Sequence, residues 1–151
     1  MGHQAVFHAR PSRGFTLLEL MVVVSIIALG TALAGLALRD GGQAALERDA
    51  ARLAALFESA RALSRASGVP VRWRPTAEGF AFDGLPPTAT PLPTQWLDTG
   101  TAVQGNAPVL LGPDPIIAPQ AVVLHRRGSA GLPLRVATDG LRPFSVGAVT
   151  P

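Results

Sequence analysis

The longest apolar stretch of the chain lies close to its N-terminus. The 19 residues from Leu20 to Leu38 contain no charged side chain. As a helix with a rise of ~1.5 Å per residue, this stretch spans about 28 Å, close to the ~30 Å hydrocarbon core of a bilayer. The preceding residues 1–14 are basic and lack acidic side chains, so the positive-inside rule places them in the cytoplasm. The pattern predicts a single membrane-spanning helix. A secretory signal cut at Ala32-Leu33-Ala34 is an alternative.

One carboxylate, Glu19, lies one turn into this predicted helix. A charge within a membrane helix costs ~2.5–3.5 kcal/mol on insertion scales and usually marks a functional site. If the chain is cut after Gly14, Phe15 carries a new α-amino group, and Glu19 of a neighbouring subunit can pair with it. A glutamate near the interface that snorkels to water explains the residue equally well on physical grounds alone.

The eight residues from Arg13 to Leu20, RGFTLLEL, resemble the cleavage and methylation site of type IV prepilins and of type II secretion pseudopilins. The resemblance implies cleavage between Gly14 and Phe15, N-methylation of Phe15, and a role for Glu19 in assembly and subunit register. It also implies three partners: a prepilin peptidase that is also the N-methyltransferase, other major and minor pseudopilins in a helical filament, and an inner-membrane assembly platform.

A second helical pattern runs from Gln43 to Ser67, after two glycines, Gly41 and Gly42, that favour a kink or local melting. Its apolar positions recur every three or four residues, as in an amphipathic helix. The residues predicted to pack in a helix bundle are Leu46, Leu53, Phe57 and Leu63. The opposite, solvent-facing side is expected to carry Glu47, Arg48, Asp49, Arg52, Glu58, Arg61 and Arg65, with Asp49–Arg52 and Glu58–Arg61 as i,i+3 ion pairs. Gly68 and Pro70 end the helix.

Beyond Gly68 the pattern alternates with a period of two, which is typical of strands. Strands are predicted at 69–74, 80–83, 121–126, 134–137 and 143–146, with Asp139-Gly140 as a tight turn between the last two. The predicted fold is α+β and pilin-like, with a long N-terminal hydrophobic and amphipathic helix packed against a C-terminal antiparallel sheet domain. This layout resembles the GspH/FimT family of minor pseudopilins and minor pilins. The predicted divisions are a cleaved leader (1–14), a transmembrane and assembly helix (15–38), its amphipathic continuation (39–67) and a β-rich periplasmic head (68–151). Residues 86–119 are expected to be mostly proline- and glycine-rich loop with short edge strands at 95–97 and 101–103, and the sequence does not predict how this region folds.

The composition offers little support for catalysis. The 151 residues include no cysteine, so the chain has no disulfide and no thiolate ligand or nucleophile. Loss of residues 1–14 leaves His125 as the last histidine, and the acidic residues of the sheet region lie beside glycine, proline or threonine, as in turns. We therefore predict no enzyme activity, no metal site and no cofactor.

All 13 basic residues are arginine, and the formal net charge is +3. Four of the arginines could meet on one sheet face and contact nucleic acid; these are Arg126, Arg127, Arg135 and Arg142. A solvated arginine surface explains them more simply, so the sequence favours no nucleic-acid partner.

The resemblance thus implies a minor pseudopilin of a type II secretion system, of the GspH class, that helps to initiate or cap a filament exporting folded proteins across the outer membrane. It would be a single-pass inner-membrane protein with a cytoplasmic N-terminus and a periplasmic C-terminal domain. One alternative is a FimT-like minor pilin of a type IV pilus, acting in pilus assembly or DNA uptake. Another is a binding domain on a plain bitopic anchor.

Overall fold

A computed structural model of the chain describes residues 15–129 and 131–149, without the side chains of residues 36–40. The predicted leader, including Gly14, lies outside the described residues. The chain divides between Ala37 and Leu38 into two compact units.

One helix, α1 (Leu17–Ser67), covers 51 residues. It continues without interruption through Gly41 and Gly42, so the predicted local melting at these glycines is wrong. The helix ends as predicted, where Gly68 adopts a positive φ of 69° and donates its N–H to the carbonyl of Ser64 over 2.9 Å. Glycine meets no steric penalty in this conformation, which explains the position of the stop.

In the first unit, the residues of α1 from Leu17 to Gly35 are all exposed. These 19 residues are long and apolar enough to cross a membrane, and none of them is buried against another described part of the chain. The large apolar side chains of this segment therefore have no covering partner within the described chain.

The described residues of the second unit form seven strands in two antiparallel sheets. The strands are β1 (Arg72–Pro75), β2 (Phe80–Asp83), β3 (Thr101–Gln104), β4 (Val109–Leu110), β5 (Gln120–Arg126), β6 (Leu134–Thr138) and β7 (Ser145–Ala148). The first sheet has the order β2-β1-β4 and the second β3-β5-β6-β7. The predicted α+β, pilin-like fold is confirmed.

The C-terminal part of α1 forms one core with the two sheets. Phe57 is fully buried, and its ring lies edge-on to Trp73 and Phe144, with centroid distances of 5.4 and 4.7 Å. Such edge-to-face pairs add ~0.5–1.5 kcal/mol to the free energy of burying the rings. Trp73 is therefore a core residue.

This core changes the role predicted for the apolar face of the helix. Leu46, Leu53 and Phe57 are at most 2% exposed, because the chain's own sheets cover them. They cannot also pack against the helix of another subunit, so their assignment to a helix bundle is wrong. The fourth residue of that set, Leu63, is half-buried.

The turn between β6 and β7 is longer than the tight hairpin predicted at Asp139-Gly140. The last paired residues are Ala137 and Ser145. The Asp139 carboxylate accepts hydrogen bonds from the backbone N–H groups of Leu141 (2.9 Å) and Arg142 (2.7 Å). This Asx-type capping stabilises a wider loop than a two-residue turn.

The side chain of Gln120, at the start of β5, links the two sheets. The amide of Gln120 accepts a hydrogen bond from the N–H of Leu110 over 2.7 Å and donates one to its carbonyl over 2.9 Å. It thus occupies both backbone groups of a β4 residue, as a neighbouring strand would.

Candidate functional site

The N-terminal end of α1 is defined by Thr16. Phe15 and Thr16 are not helical, and Leu17 is the first helical residue. The Thr16 hydroxyl accepts a hydrogen bond from the N–H of Glu19 over 3.2 Å, and its carbonyl accepts one from the N–H of Leu20 over 3.1 Å. Thr16 is therefore the N-cap of the helix.

Glu19 lies in the first turn of the helix. It is the one ionisable side chain between Leu17 and Gly35, and it is exposed. Its carboxylate makes no hydrogen bond or ion pair with another residue in the described part of the chain. The positive end of the helix dipole favours a negative charge here, and a neighbouring cation would complete the neutralisation.

Phe15 is 70% exposed and lies four residues before Glu19. Cleavage before Phe15 would give it a free α-amino group, a cation at the same end of the helix as the carboxylate. Gly14, the other side of the predicted scissile bond, is outside the described residues.

The other polar side chains of the apolar segment are satisfied within its own helix. Ser25 donates its hydroxyl proton to the carbonyl of Met21 over 2.7 Å, and the Thr31 hydroxyl lies 2.9 and 3.0 Å from the carbonyls of Ala28 and Ile27. Neither hydroxyl proton needs a partner from another chain. Glu19 is thus the polar group of this segment that an external partner would satisfy.

The C-terminal part of the same helix contains a second carboxylate, which sequence reasoning placed in solvent. Asp49 is 1% exposed. It accepts hydrogen bonds from the N–H of Leu97 (2.8 Å), the N–H of Asp98 (3.2 Å) and the hydroxyl of Thr101 (2.7 Å). Its predicted pairing with Arg52 is wrong, because Arg52 donates instead to the carbonyl of Gln95 over 2.8 Å. The two side chains fix the segment that leads into β3.

Arg61 is likewise buried rather than solvent-facing, at 3% exposure. Its pairing with Glu58, at 3.2 Å, is confirmed. Arg61 also donates to the carbonyl of Pro115 over 3.3 Å, and Glu58 accepts from the N–H of Phe144 over 3.0 Å.

The helical spacing contained the signal for both burials. Asp49 follows Leu46 by three residues and precedes Leu53 by four, and Arg61 follows Phe57 by four. Both positions therefore lie within the apolar stripe. Assigning them to the opposite face gave their charge more weight than their position.

The four arginines considered for nucleic-acid contact do not meet on one sheet face. Arg126 pairs with Asp98 at 3.0 Å. Because Arg135 pairs in register with Val123, and Arg126 is three positions further along β5, the side chains of Arg126 and Arg135 point to opposite faces. The predicted cluster on one face is therefore wrong.

The remaining two arginines lie apart from each other as well. Arg127 donates to the carbonyls of Thr99 (3.3 Å) and Ala77 (3.2 Å). Arg142 is exposed and lies 3.8 Å from the carboxylate of Asp139. Arg135 and Arg142 do share an open hollow of about 380 Å³ at the end of β6.

Asp98 has a shifted acidity because of its partners. It accepts a hydrogen bond from the N–H of Gly100 over 2.7 Å, and the guanidinium of Arg126 is beside it. These two contacts, the Gly100 bond first, hold the pKa of Asp98 below its ordinary value of 3.8. Both stabilise the ionised carboxylate.

No group of three or more histidine, cysteine, aspartate or glutamate side chains within residues 15–129 and 131–149 could hold a metal ion. Trp96 and Arg127 border two neighbouring surface hollows of about 280 and 270 Å³. Two carboxylates of α1, Glu19 and Asp49, therefore differ in their surroundings: Asp49 is buried and hydrogen-bonded, whereas Glu19 is exposed and open to a partner.

Residues 9–35 match the model of the prokaryotic N-terminal methylation motif. The N-terminal segment of the chain is type IV pilin-like. The match includes Gly14, Phe15 and Glu19, and it covers the apolar segment to its end at Gly35. Together with the α+β fold, it supports a structural protein of the pilin and pseudopilin type that a prepilin peptidase processes and that assembles with other pilins.

No curated protein and no solved structure matched the chain. The apolar helix and the motif are consistent with a single-pass, membrane-anchored protein.

Proposed function

We propose that this chain is a minor pseudopilin of a type II secretion system, of the GspH class, which helps to initiate or cap the filament that drives folded proteins across the outer membrane. The observation that carries the proposal is the exposed Glu19 carboxylate, in an otherwise uncharged segment, inside a matched methylation motif. A small head with its own core supports a subunit that contributes one helix to a filament. The head would lie in the periplasm.

The first step is proteolytic. A prepilin peptidase hydrolyses the Gly14–Phe15 bond: the carbonyl carbon of Gly14 gains the hydroxyl of water, and the nitrogen of Phe15 gains its proton. The product amine, after losing a proton, takes a methyl group from a sulfonium-type methyl donor, which leaves as the neutral sulfide, and the resulting N-methylammonium group is again a cation. A new positive charge thus appears at the end of α1 that carries Glu19.

The second step is assembly. An unpaired Glu19 carboxylate in lipid has an unfavourable free energy, and so has an unpaired ammonium group. Pairing Glu19 of one subunit with the Phe15 amine of its neighbour neutralises both charges and fixes the axial offset between the helices. Because a carboxylate left unpaired in lipid is penalised, the pair selects register and partner.

The cleavage is tested with Gly14→Ala. We expect the variant precursor to remain uncut, because the added methyl group occupies the position next to the scissile carbonyl. Intact-mass measurement on membranes that contain the peptidase checks this. A normal shift to the smaller mass would remove the basis for a prepilin-type protein and favour a domain on a plain bitopic anchor.

The assembly step is tested in the source bacterium with the gene deleted and then restored. We expect secreted hydrolases to accumulate in the periplasm on deletion and to return to the medium with the wild-type gene. Restoration with Glu19→Gln should leave secretion at the level of the deletion strain, although the subunit is still cut. Glu47→Gln is the matched control, since Glu47 is exposed on the same helix outside the apolar segment, and it should restore secretion fully.

A second candidate function is that of a FimT-like minor pilin of a type IV pilus, in pilus assembly or DNA uptake. The observation that favours it is the exposed pair Arg135 and Arg142 around one open hollow, since arginines attract phosphate. A secretome unchanged by the deletion would favour this function. Binding of duplex DNA that weakens as salt rises, and is lost in Arg135→Ala/Arg142→Ala, would support it.

A further inference from the structure

The first turn of α1 begins with two capping contacts, both made by Thr16. The Thr16 hydroxyl accepts from the N–H of Glu19, and the Thr16 carbonyl from that of Leu20. A threonine followed three residues later by glutamate is the spacing of a capping box. Phe15 before the cap and Leu20 in the fourth helical position have the spacing of a hydrophobic staple. The sequence of the methylation motif thus also specifies where the helix begins.

This starting point determines the conformation available to the predicted cleavage site. The Gly14–Phe15 bond precedes the first helical residue, Leu17. If the helix began one turn earlier, the carbonyl of Gly14 would accept the N–H of Leu18, and the bond would lie within the helix. The next residue upstream with an N-cap side chain is Ser12, four positions before Thr16. Without the Thr16 cap, the helix can therefore begin after Ser12, on the N-terminal side of the Gly14–Phe15 bond.

Proteases cut segments that are locally open rather than helical, and the rate follows the population of the open form. We propose that Thr16 is a positioning residue for the processing reaction. Its hydroxyl makes α1 begin at Leu17 and so keeps the Gly14–Phe15 bond outside the helix. The inference rests on the proposed function, because it requires cleavage at this bond. Thr16 acts through the backbone of Glu19 and takes no part in the hydrolysis.

The experiment measures the initial rate of cleavage of the full-length precursor in membranes that contain the prepilin peptidase. The readout is the intact mass of the protein, which reports the loss of residues 1–14. Thr16→Val keeps the shape of the side chain and removes the hydroxyl. We expect it to slow cleavage about fivefold, the factor that loss of one cap corresponds to. Ser12→Ala is the control, since it removes a hydroxyl near the bond and leaves the cap in place, and we expect a rate within about twofold of wild type.

Two further variants separate capping from direct reading of the threonine by the peptidase. Serine and asparagine are both strong N-caps but differ in shape. We expect Thr16→Ser and Thr16→Asn to be cut at nearly the wild-type rate. If Thr16→Val is cut as fast as wild type, or if Thr16→Asn is as slow as Thr16→Val, the inference is wrong. A wild-type precursor that stays uncut would instead reject the proposed function itself.

Discussion

The two halves of α1 have the same backbone conformation and opposite relations to their surroundings. From Leu17 to Gly35 the apolar side chains are exposed and the one carboxylate, Glu19, has no partner among the described residues. From Gln43 to Ser67 the apolar stripe is buried by the chain's own sheets, and the carboxylate of Asp49 accepts three hydrogen bonds. The apolar side chains of the second half are covered within the chain, whereas those of the first half have no cover among the described residues.

The comparison teaches that helical spacing alone does not say what covers an apolar stripe. Leu46, Leu53 and Phe57 fit the pattern of a bundle interface, and they are core residues. The first half has no such cover in the described chain. If the proposed function holds, the interface between subunits is formed by the first half, and the second half supports the head.

The largest effect that would sharpen this contrast is expected from Phe57→Ala. The substitution leaves a cavity beside Trp73 and Phe144, and we expect the free energy of unfolding of the head to fall by about 4 kcal/mol. Thermal unfolding of the full chain in detergent, followed by tryptophan fluorescence, measures this. Ile27→Ala, in the exposed half, is the control and should leave the unfolding of the head unchanged. Equal effects of the two variants would remove the distinction between the halves.

A smaller effect is expected from Asp49→Asn. The amide cannot accept hydrogen bonds with both of its terminal atoms, so one donor among Leu97, Asp98 and Thr101 loses its partner. We expect a loss of about 2 kcal/mol in the free energy of unfolding. Glu47→Gln, exposed two residues earlier on the same helix, should change it by less than about 0.5 kcal/mol. Denaturant unfolding of both variants provides the test. An Asp49→Asn variant as stable as the wild type would contradict the burial of Asp49 and favour the solvent-facing position first predicted for it.

The smallest effect concerns the dependence of the head on pH. The pKa of Asp98 is lowered in the folded state, so its contribution to stability is fully present above its ordinary value of 3.8 and is lost as the pH falls through the folded pKa. We expect the wild type to be more stable than Asp98→Asn near neutral pH, and the difference to shrink in acid. Melting temperatures between about pH 6 and about pH 3 measure it. Asp114→Asn, at an exposed turn, is the control and should follow the wild type; a difference that stays constant with pH would exclude the proposed role of the charge.

Local patterns in the sequence predicted several elements well. The period-two alternation located β1, β2, β5 and β6 to within one or two residues at most ends, and Gly68 located the end of α1. The N-terminal motif was readable because its chemistry lies within eight consecutive residues, Arg13 to Leu20.

The sequence did not show which distant backbone groups would reach the helix. Asp49 and Arg61 are buried because Leu97, Asp98, Thr101 and Pro115 come to them from segments 48 to 54 positions away along the chain, a separation that no local pattern encodes.

 The separations are 48, 49 and 52 residues for the three donors to Asp49 and 54 residues for Arg61 and Pro115. The conformation of the Asp139 loop was missed for a related reason, since it depends on which backbone groups its carboxylate caps.

The two hydrogen bonds between the Gln120 amide and the backbone of Leu110 affect how the sheets of the head can separate. With both backbone groups of that β4 residue occupied, the outer edge of the first sheet offers less of a template for a strand of another chain. The same two hydrogen bonds couple β4 to β5, so the small sheet cannot detach without breaking a link to the large one. The backbone amide of Leu110, in a strand of only two residues, should therefore exchange its hydrogen with solvent as slowly as the amides of β5, and Gln120→Ala should speed that exchange at Leu110 first.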